Sequence, residues 1–238
     1  IIYVKSYNEK LNTVIFQFDD EYGTEKTIGN ETVGHVDVFD NDQNKGRISR
    51  YLLEYDEDGY VTTLRYAGFQ NIYVCDAQGI YGKKYVRDEK GRVIEEMYLS
   101  HDGTPKATNW GLGKKIFVYD EEDNWVKSLY QTVDGEPSLD ASDGTEVCEN
   151  VYDKYGNEIS QYYKTADGQL MLPKNYESSG VHTEYDENGF ICKRSYIGID
   201  GNVEYSPAQG AAVQVMECNE YGFFSKVSYM DAEGNPCV

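Results

Sequence analysis

Acid–base or nucleophilic chemistry in this chain has few groups to draw on. There are three histidines, His35, His101 and His182, and none stands beside a serine or cysteine in a recognisable nucleophile motif. No phosphate-cradling glycine loop and no dinucleotide fingerprint is present. Carboxylates are abundant, with 42 Asp and Glu. A glycosidase needs two of them at a fixed separation across a cleft, and nothing in their spacing singles out a pair. The expectation is a protein that is not an enzyme, with a glycan-active enzyme as the least favoured alternative.

Two other constellations bear on binding. Asp40, Asp42 and Asn44 place side-chain oxygens at alternate positions, the pattern of a calcium loop. Lys45 stands where an EF-hand needs glycine and Tyr51 where it needs the bidentate glutamate, so these three residues suit at most a loose surface calcium site, against the alternative of a solvated acidic loop. No other cofactor is expected. Aromatic rings can stack on the apolar faces of sugars, which makes Trp110 and Trp125 the candidate ligand-binding side chains. Trp110 lies in a stretch that does not recur. Trp125 shares its place with Val61, Val93 and Ile191, which points toward a packing role.

Those residues sit in a repeated frame. Anchors at Asp56, Asp88, Asp120, Asp153, Asp186 and Asn219 are spaced by 32, 32, 33, 33 and 33 residues. Three positions after the anchor come Gly59, Gly91, Asp123, Gly156, Gly189 and Gly222; ten positions after it come Tyr66, Tyr98, Tyr130, Tyr163, Tyr196 and Tyr229. A seventh copy, anchored at Asn8, has Phe18 at plus ten. The interval from Asn8 to Asp56 is too long for one unit, and the surplus falls in an insertion over about 27–48, an inserted loop or an extra hairpin.

The local chemistry assigns the parts. Stretches such as "DENG" and "DEDG" are turns in which Asp accepts from its own main chain and Gly takes the left-handed position. Their flanks are short and rich in Val, Ile, Tyr and Phe, which favour a pleated surface. A second Asp-Gly turn closes the following strand, and a connector of about ten residues, short strand or irregular coil, leads to the next copy. A Tyr at one strand position in every copy is expected to fill the groove between neighbouring copies. The predicted fold is all-β: an elongated array or solenoid of tandem antiparallel β-hairpin repeats with a period of about 33, in one repeat domain over 1–238.

Composition narrows the partners. The net charge, 22 − 42 = −20, opposes nucleic acid and anionic lipid. No apolar stretch reaches membrane-spanning length, so membrane insertion is not expected. Five cysteines, an odd number without a CxxC pair, read as free thiols rather than a disulfide framework or a zinc site.

The blocks "YDEDG" (55–59), "YDKYG" (152–156) and "YDENG" (185–189), with weaker forms "RDEKG" (87–91) and "CNEYG" (218–222), resemble the YD repeats of Rhs-type bacterial proteins. The resemblance implies curling β-sheets on a bacterial cell-surface or secreted protein, hence an extracellular setting. This chain departs from that pattern in its longer period and its regular second turn. "YVCDAQG" (73–79) is also similar to the aromatic hairpins of choline- and glucan-binding repeats. The leading expectation is a non-enzymatic β-repeat scaffold or binding module, with cell-wall glycan or protein as partner. A dedicated carbohydrate-binding repeat module is the first alternative.

Overall fold

The computed structural model describes residues 2–8, 12–18, 48–140, 144–174 and 177–237. The chain divides into two compact units, Ile1–Ile116 with Gln131–Glu136, and Phe117–Tyr130 with Pro137–Val238. The all-β, antiparallel reading holds in both. In the first unit β1 (Ile2–Asn8), β2 (Thr13–Phe18), β3 (Arg50–Tyr55), β4 (Val61–Ala67), β5 (Gly82–Arg87) and β6 (Val93–Leu99) pair in chain order, and β6 continues to the start of β7 (Lys114–Tyr119). In the second, β8 (Trp125–Gln131), β9 (Val147–Tyr152), β10 (Glu158–Lys164), β11 (Gly180–Tyr185), β12 (Ile191–Ile197), β13 (Val213–Cys218) and β14 (Phe224–Met230) do the same, giving an open antiparallel sheet. Among the described residues no helix is long and apolar enough to cross a membrane. Part of the insertion predicted over 27–48 lies outside the described residues; only Ile48, which is buried, belongs to them.

From the β3–β4 hairpin onward, each hairpin is closed by the same device. At Asp56, Asp88, Asp153 and Asp186 the main-chain carbonyl accepts from the Gly three residues on, and the carboxylate Oδ1 accepts the amide four residues on, at 2.8–3.0 Å. Asn219 does the same with its amide oxygen. The glycines stand at φ +81 to +87 (Gly222 and Gly189 at 81, Gly91 at 82, Gly156 at 84, Gly59 at 87), and a register shift lies beside the turn in all five of these hairpins. This is a hairpin loop ending in a left-handed residue and a bulge, which suits the right-handed twist of the strands. In the β7–β8 turn Asp123 takes that position at φ +71, a conformation an L side chain adopts only at some cost.

The connectors are more ordered than short strand or irregular coil. After each strand that ends at the plus-ten Tyr, a second turn folds back, with amide-to-carbonyl bonds at Ser100–Thr104, Thr132–Glu136, Thr165–Gln169, Gly198–Asn202 and Asp231–Asn235. The first of these, Gly68–Ile72, lacks Asp-Gly; there Gln70 and Asn71 carry the left-handed backbone, both at φ +61. A third turn follows at Asp76–Ile80, Thr108–Leu112, Asp140–Thr145 and Ser206–Ala211. The plus-ten Tyr joins the two segments. Its carbonyl accepts from the returning chain (Val74, Lys106, Ser138, Met171 and Glu204 onto Tyr66, Tyr98, Tyr130, Tyr163 and Tyr196), and its amide donates to the approach of the next hairpin (Tyr81, Gly113, Glu146, Ser179 and Ala212).

The core sits at this connector end. Cys75, Ile80, Leu112, Thr145, Ser179, Ser206 and Ala211 are fully buried, whereas the mid-strand residues of both sheet faces are mostly half-buried. Thr108, also buried there, uses its hydroxyl locally: Oγ1 accepts the amide of Leu112 at 3.2 Å. Successive third turns in the first unit also touch. Asn109 donates from its main chain to Gln78 (2.9 Å) and from its side chain to Ala77 (3.2 Å), and Lys106 Nζ donates to the Gly79 carbonyl at 2.7 Å.

Candidate functional site

The predicted residues scatter rather than converge. Tyr66, Tyr98, Tyr163 and Tyr196 are buried, Tyr130 is half-buried, and Tyr229, on β14, is 43 % exposed. Gly59, Gly91, Gly156, Gly189 and Gly222 all lie in the hairpin turns. Asp40, Asp42 and Asn44 lie outside the described residues, so the calcium loop has no structural description here. Among the described residues no group of three His, Cys, Asp or Glu side chains is placed to hold a metal ion.

Trp110 is 58 % exposed at the crest of a third turn. Trp125 opens β8; its ring meets Phe117 edge-on at 6.1 Å, its Nε1 donates to the Lys127 carbonyl, and its own carbonyl accepts from Asn150 and Tyr152. That side chain packs along the sheet rather than standing free on it.

Two of the three histidines, His101 and His182, lie among the described residues. His101 is exposed and packs its ring edge-to-face with Tyr73 (5.9 Å) and Tyr81 (5.3 Å). His182 Nδ1 lies 2.9 Å from the Ser160 hydroxyl across β10 and β11, a contact absent from sequence proximity. Ser160 is buried within its strand, and among the described residues no carboxylate hydrogen-bonds to His182, so the orienting third group of a nucleophile–base pair is missing. The five cysteines are free thiols, Cys75 and Cys148 buried.

Several carboxylates are engaged by turns, and Glu96, Glu149, Glu184 and Glu217 on the strands pair with lysines. The Ser100 and Thr104 hydroxyls donate to Asp102 and hold its carboxyl down to about 2. Asn157, Asn202 and Asn235 donate to Asp153, Asp200 and Asp231 and keep them below the ordinary carboxylate range. At Asp88 desolvation works upward, and the hydrogen bonds and charge of Arg92 outweigh it. Among the described residues, burial raises Asp76 and Glu158. Asp76 Oδ1 nevertheless accepts the amides of Gln78 and Ile80, the hydrogen bonding of a turn former.

What does recur on the surface is an open cleft between neighbouring hairpin tips. One, of about 760 Å³, runs between the β3–β4 and β5–β6 tips and includes Asp58, Tyr60, Tyr85, Arg87, Glu89 and Lys90. Arg87 stacks on the Tyr60 ring at 5.1 Å and donates to the carbonyls of Gly91 and Val61; burial pushes the Tyr85 hydroxyl up to about 12. A second, of about 610 Å³, lies between the β7–β8 and β9–β10 tips, with Glu122, Asn124, Tyr152, Lys154 and Tyr155. A third, of about 340 Å³, lies between the β11–β12 and β13–β14 tips, with Asn188, Phe190 and Glu220. The aromatic residues of these clefts escaped the sequence reading because they occupy different turn positions: Tyr60 and Phe190 four residues after the anchor, Tyr155 two after it.

No protein-family model matches the chain, and no curated protein matches it in sequence. Among solved structures it is similar to TcdB2-TccC3-TEV (12 % identity), to TcdB2-TccC3 without its hypervariable C-terminal region (14 %) and to TcdB2-TccC3 (14 %), each at a TM-score of 0.39. These alignments cover 99 %, 98 % and 99 % of this chain and 11 %, 11 % and 12 % of the others, so the chain spans about a tenth of the length of the solved chains it matches.

Proposed function

We propose that this chain is a non-enzymatic β-hairpin scaffold of a bacterial cell-surface or secreted protein, presenting its hairpin tips to a glycan or protein partner. The observation that carries the reading is the use made of the carboxylates. In an acid–base enzyme some are released from structural duty and tuned upward in a cleft. Here Asp56, Asp88, Asp120, Asp153 and Asp186 each close their own turn, and Asp88 and Asp153, which line tip clefts, are held low.

A scaffold of near-independent units tolerates the loss of one. Excising residues 153–185, one period between the anchors at 153 and 186 (186 − 153 = 33), rejoins Tyr152 to Asp186 and preserves the hairpin pattern. The expected product is soluble, keeps its far-ultraviolet β signature and unfolds cooperatively. Collapse of that variant, or release of reducing ends from a bacterial cell-wall glycan by the intact chain, would overturn the proposal.

A further inference from the structure

We infer that the tip clefts are binding sites for a neutral glycan of β-linked, equatorially substituted sugars, one short stretch of glycan per cleft; the inference rests on the scaffold reading and names what the scaffold holds. Three features of the clefts converge on that ligand.

The first is the pairing of ring and acceptor. Each cleft has an aromatic ring at its wall, Tyr60, Tyr155 or Phe190, near a polar side chain two residues after the anchor of the preceding tip, Asp58, Glu122 or Asn188. A pyranose with equatorial hydroxyls has a flat C–H face for the ring and a rim of O–H donors for carboxylate or amide oxygens. Tyr155 is 77 % exposed, and the Lys154 ammonium stands 4.8 Å from its ring centroid.

The second is charge. The first cleft carries Asp56, Asp58, Asp88 and Glu89 against Arg87 and Lys90, 2 − 4 = −2. The second carries Asp120, Glu122 and Asp153 against Lys154, 1 − 3 = −2, and the third Asp186 and Glu220, again −2. Three clefts of different composition share one net charge, which repels phosphate- and uronate-bearing polymers and accepts uncharged ones.

The third is spacing. Neighbouring tips within a unit are two strands apart, about 9.5 Å, close to the length of one β-1,4-linked disaccharide. Strand twist rotates each tip against the last. The second and third clefts, both in the second unit, are two tips or about 19 Å apart, so an oligosaccharide of several sugars reaches both, and a disaccharide fills one.

The test is titration of the intact chain with chitohexaose and cellohexaose by calorimetry and saturation-transfer NMR, beside the corresponding disaccharides and polygalacturonate. The expected result is binding of at least one hexaose, at least about tenfold tighter than its disaccharide through engagement of more than one cleft, and none of polygalacturonate. Combined Tyr60→Ala, Tyr155→Ala and Phe190→Ala should weaken hexaose binding about tenfold or more, and Trp110→Ala should leave it unchanged. Tyr155→Ala alone, at an exposed turn residue, serves if the triple variant fails to fold, with a smaller loss expected. No hexaose binding, preference for polygalacturonate, or loss with Trp110→Ala but not with the cleft variants overturns the inference. If the chain lacking 153–185 folds and neither hexaose binds, the scaffold reading stands and the glycan assignment falls; release of reducing ends from a bound hexaose defeats the scaffold reading instead.

Discussion

Asn109 occupies the space a side chain at Gly79 would need: a Cβ on Gly79 would stand 2.4 Å from Asn109 Oδ1. The two residues belong to successive third turns, and the close approach lets Asn109 reach the carbonyls of Ala77 and Gln78. Gly79 also sits at φ +79. Gly79→Ala should therefore cost about 2–3 kcal/mol, combining backbone strain with a displaced neighbour. Gly168, at φ +83 with nothing within 4 Å of its virtual Cβ, isolates the strain component. Gly168→Ala should cost about 1 kcal/mol. Equal shifts in urea midpoint for the two variants would show that the stacking of third turns contributes nothing.

Asp123 is the one tip residue among six equivalent positions that takes the left-handed conformation without being glycine. Asp123→Gly should raise stability by about 0.5–1 kcal/mol, since it relieves native strain at a modest entropic cost in the unfolded chain. The check is the chemical-denaturation midpoint at unchanged m-value.

Arg65 is buried, and among the described residues no carboxylate hydrogen-bonds to it. Its guanidinium lies over the Tyr73 ring at 4.2 Å and donates to the carbonyls of Tyr81 (3.3 Å), Ser100 (3.0 Å) and His101 (2.7 Å). It thus clamps β4 to the second turn of the following hairpin. Arg65→Met keeps the apolar stem and removes the charged donors, with an expected loss of about 2–3 kcal/mol. Arg65→Lys should recover only part of it, because one ammonium does not span three carbonyls. Full rescue by lysine would reduce the clamp to simple charge.

Acid should loosen the turns. A carboxyl whose folded pKa lies below its unfolded value adds stability that is present above the unfolded pKa and lost as pH falls through the folded one. Asp102 moves from an ordinary value of 3.8 to about 2, so its share is lost between roughly pH 4 and pH 2. Asp76 and Glu158, raised by burial, act with the opposite sign over a higher range. Asp102→Asn should lower the urea midpoint above about pH 4, where the carboxylate contributes, and flatten the profile between roughly pH 4 and pH 2, so that variant and parent converge at the acid end.

The hairpins were legible in the sequence because their information is local. Asp accepting an amide four residues on and Gly at positive φ are properties of five consecutive residues, and they survive any tertiary context. The connectors were not legible as the core, because what buries there is Ser179, Ser206, Thr145 and Ala211 rather than a run of large apolar side chains. Hydropathy does not mark small polar residues as core. Trp110 and Trp125 are the candidates for stacking on sugars in the sequence, yet the rings that line the tip clefts are Tyr60, Tyr155 and Phe190, whose turn positions, four residues after the anchor for two of them and two for the third, hold an aromatic in only some of the copies. The Ser160–His182 contact likewise depends on strand register that spacing alone does not reveal.

The plus-ten tyrosines also carry a lesson about tolerance to change. Tyr66 and Tyr98 donate to the residue fifteen positions on, Tyr81 and Gly113, whereas Tyr130, Tyr163 and Tyr196 donate to the residue sixteen positions on, Glu146, Ser179 and Ala212. That single step accounts for the whole difference between anchor spacings of 32 and 33. An inserted residue is taken up beyond the tyrosine, and the next hairpin starts in phase. The array keeps count by its main-chain bonds and not by its length, so mutation can lengthen or shorten a connector without the error passing down the line.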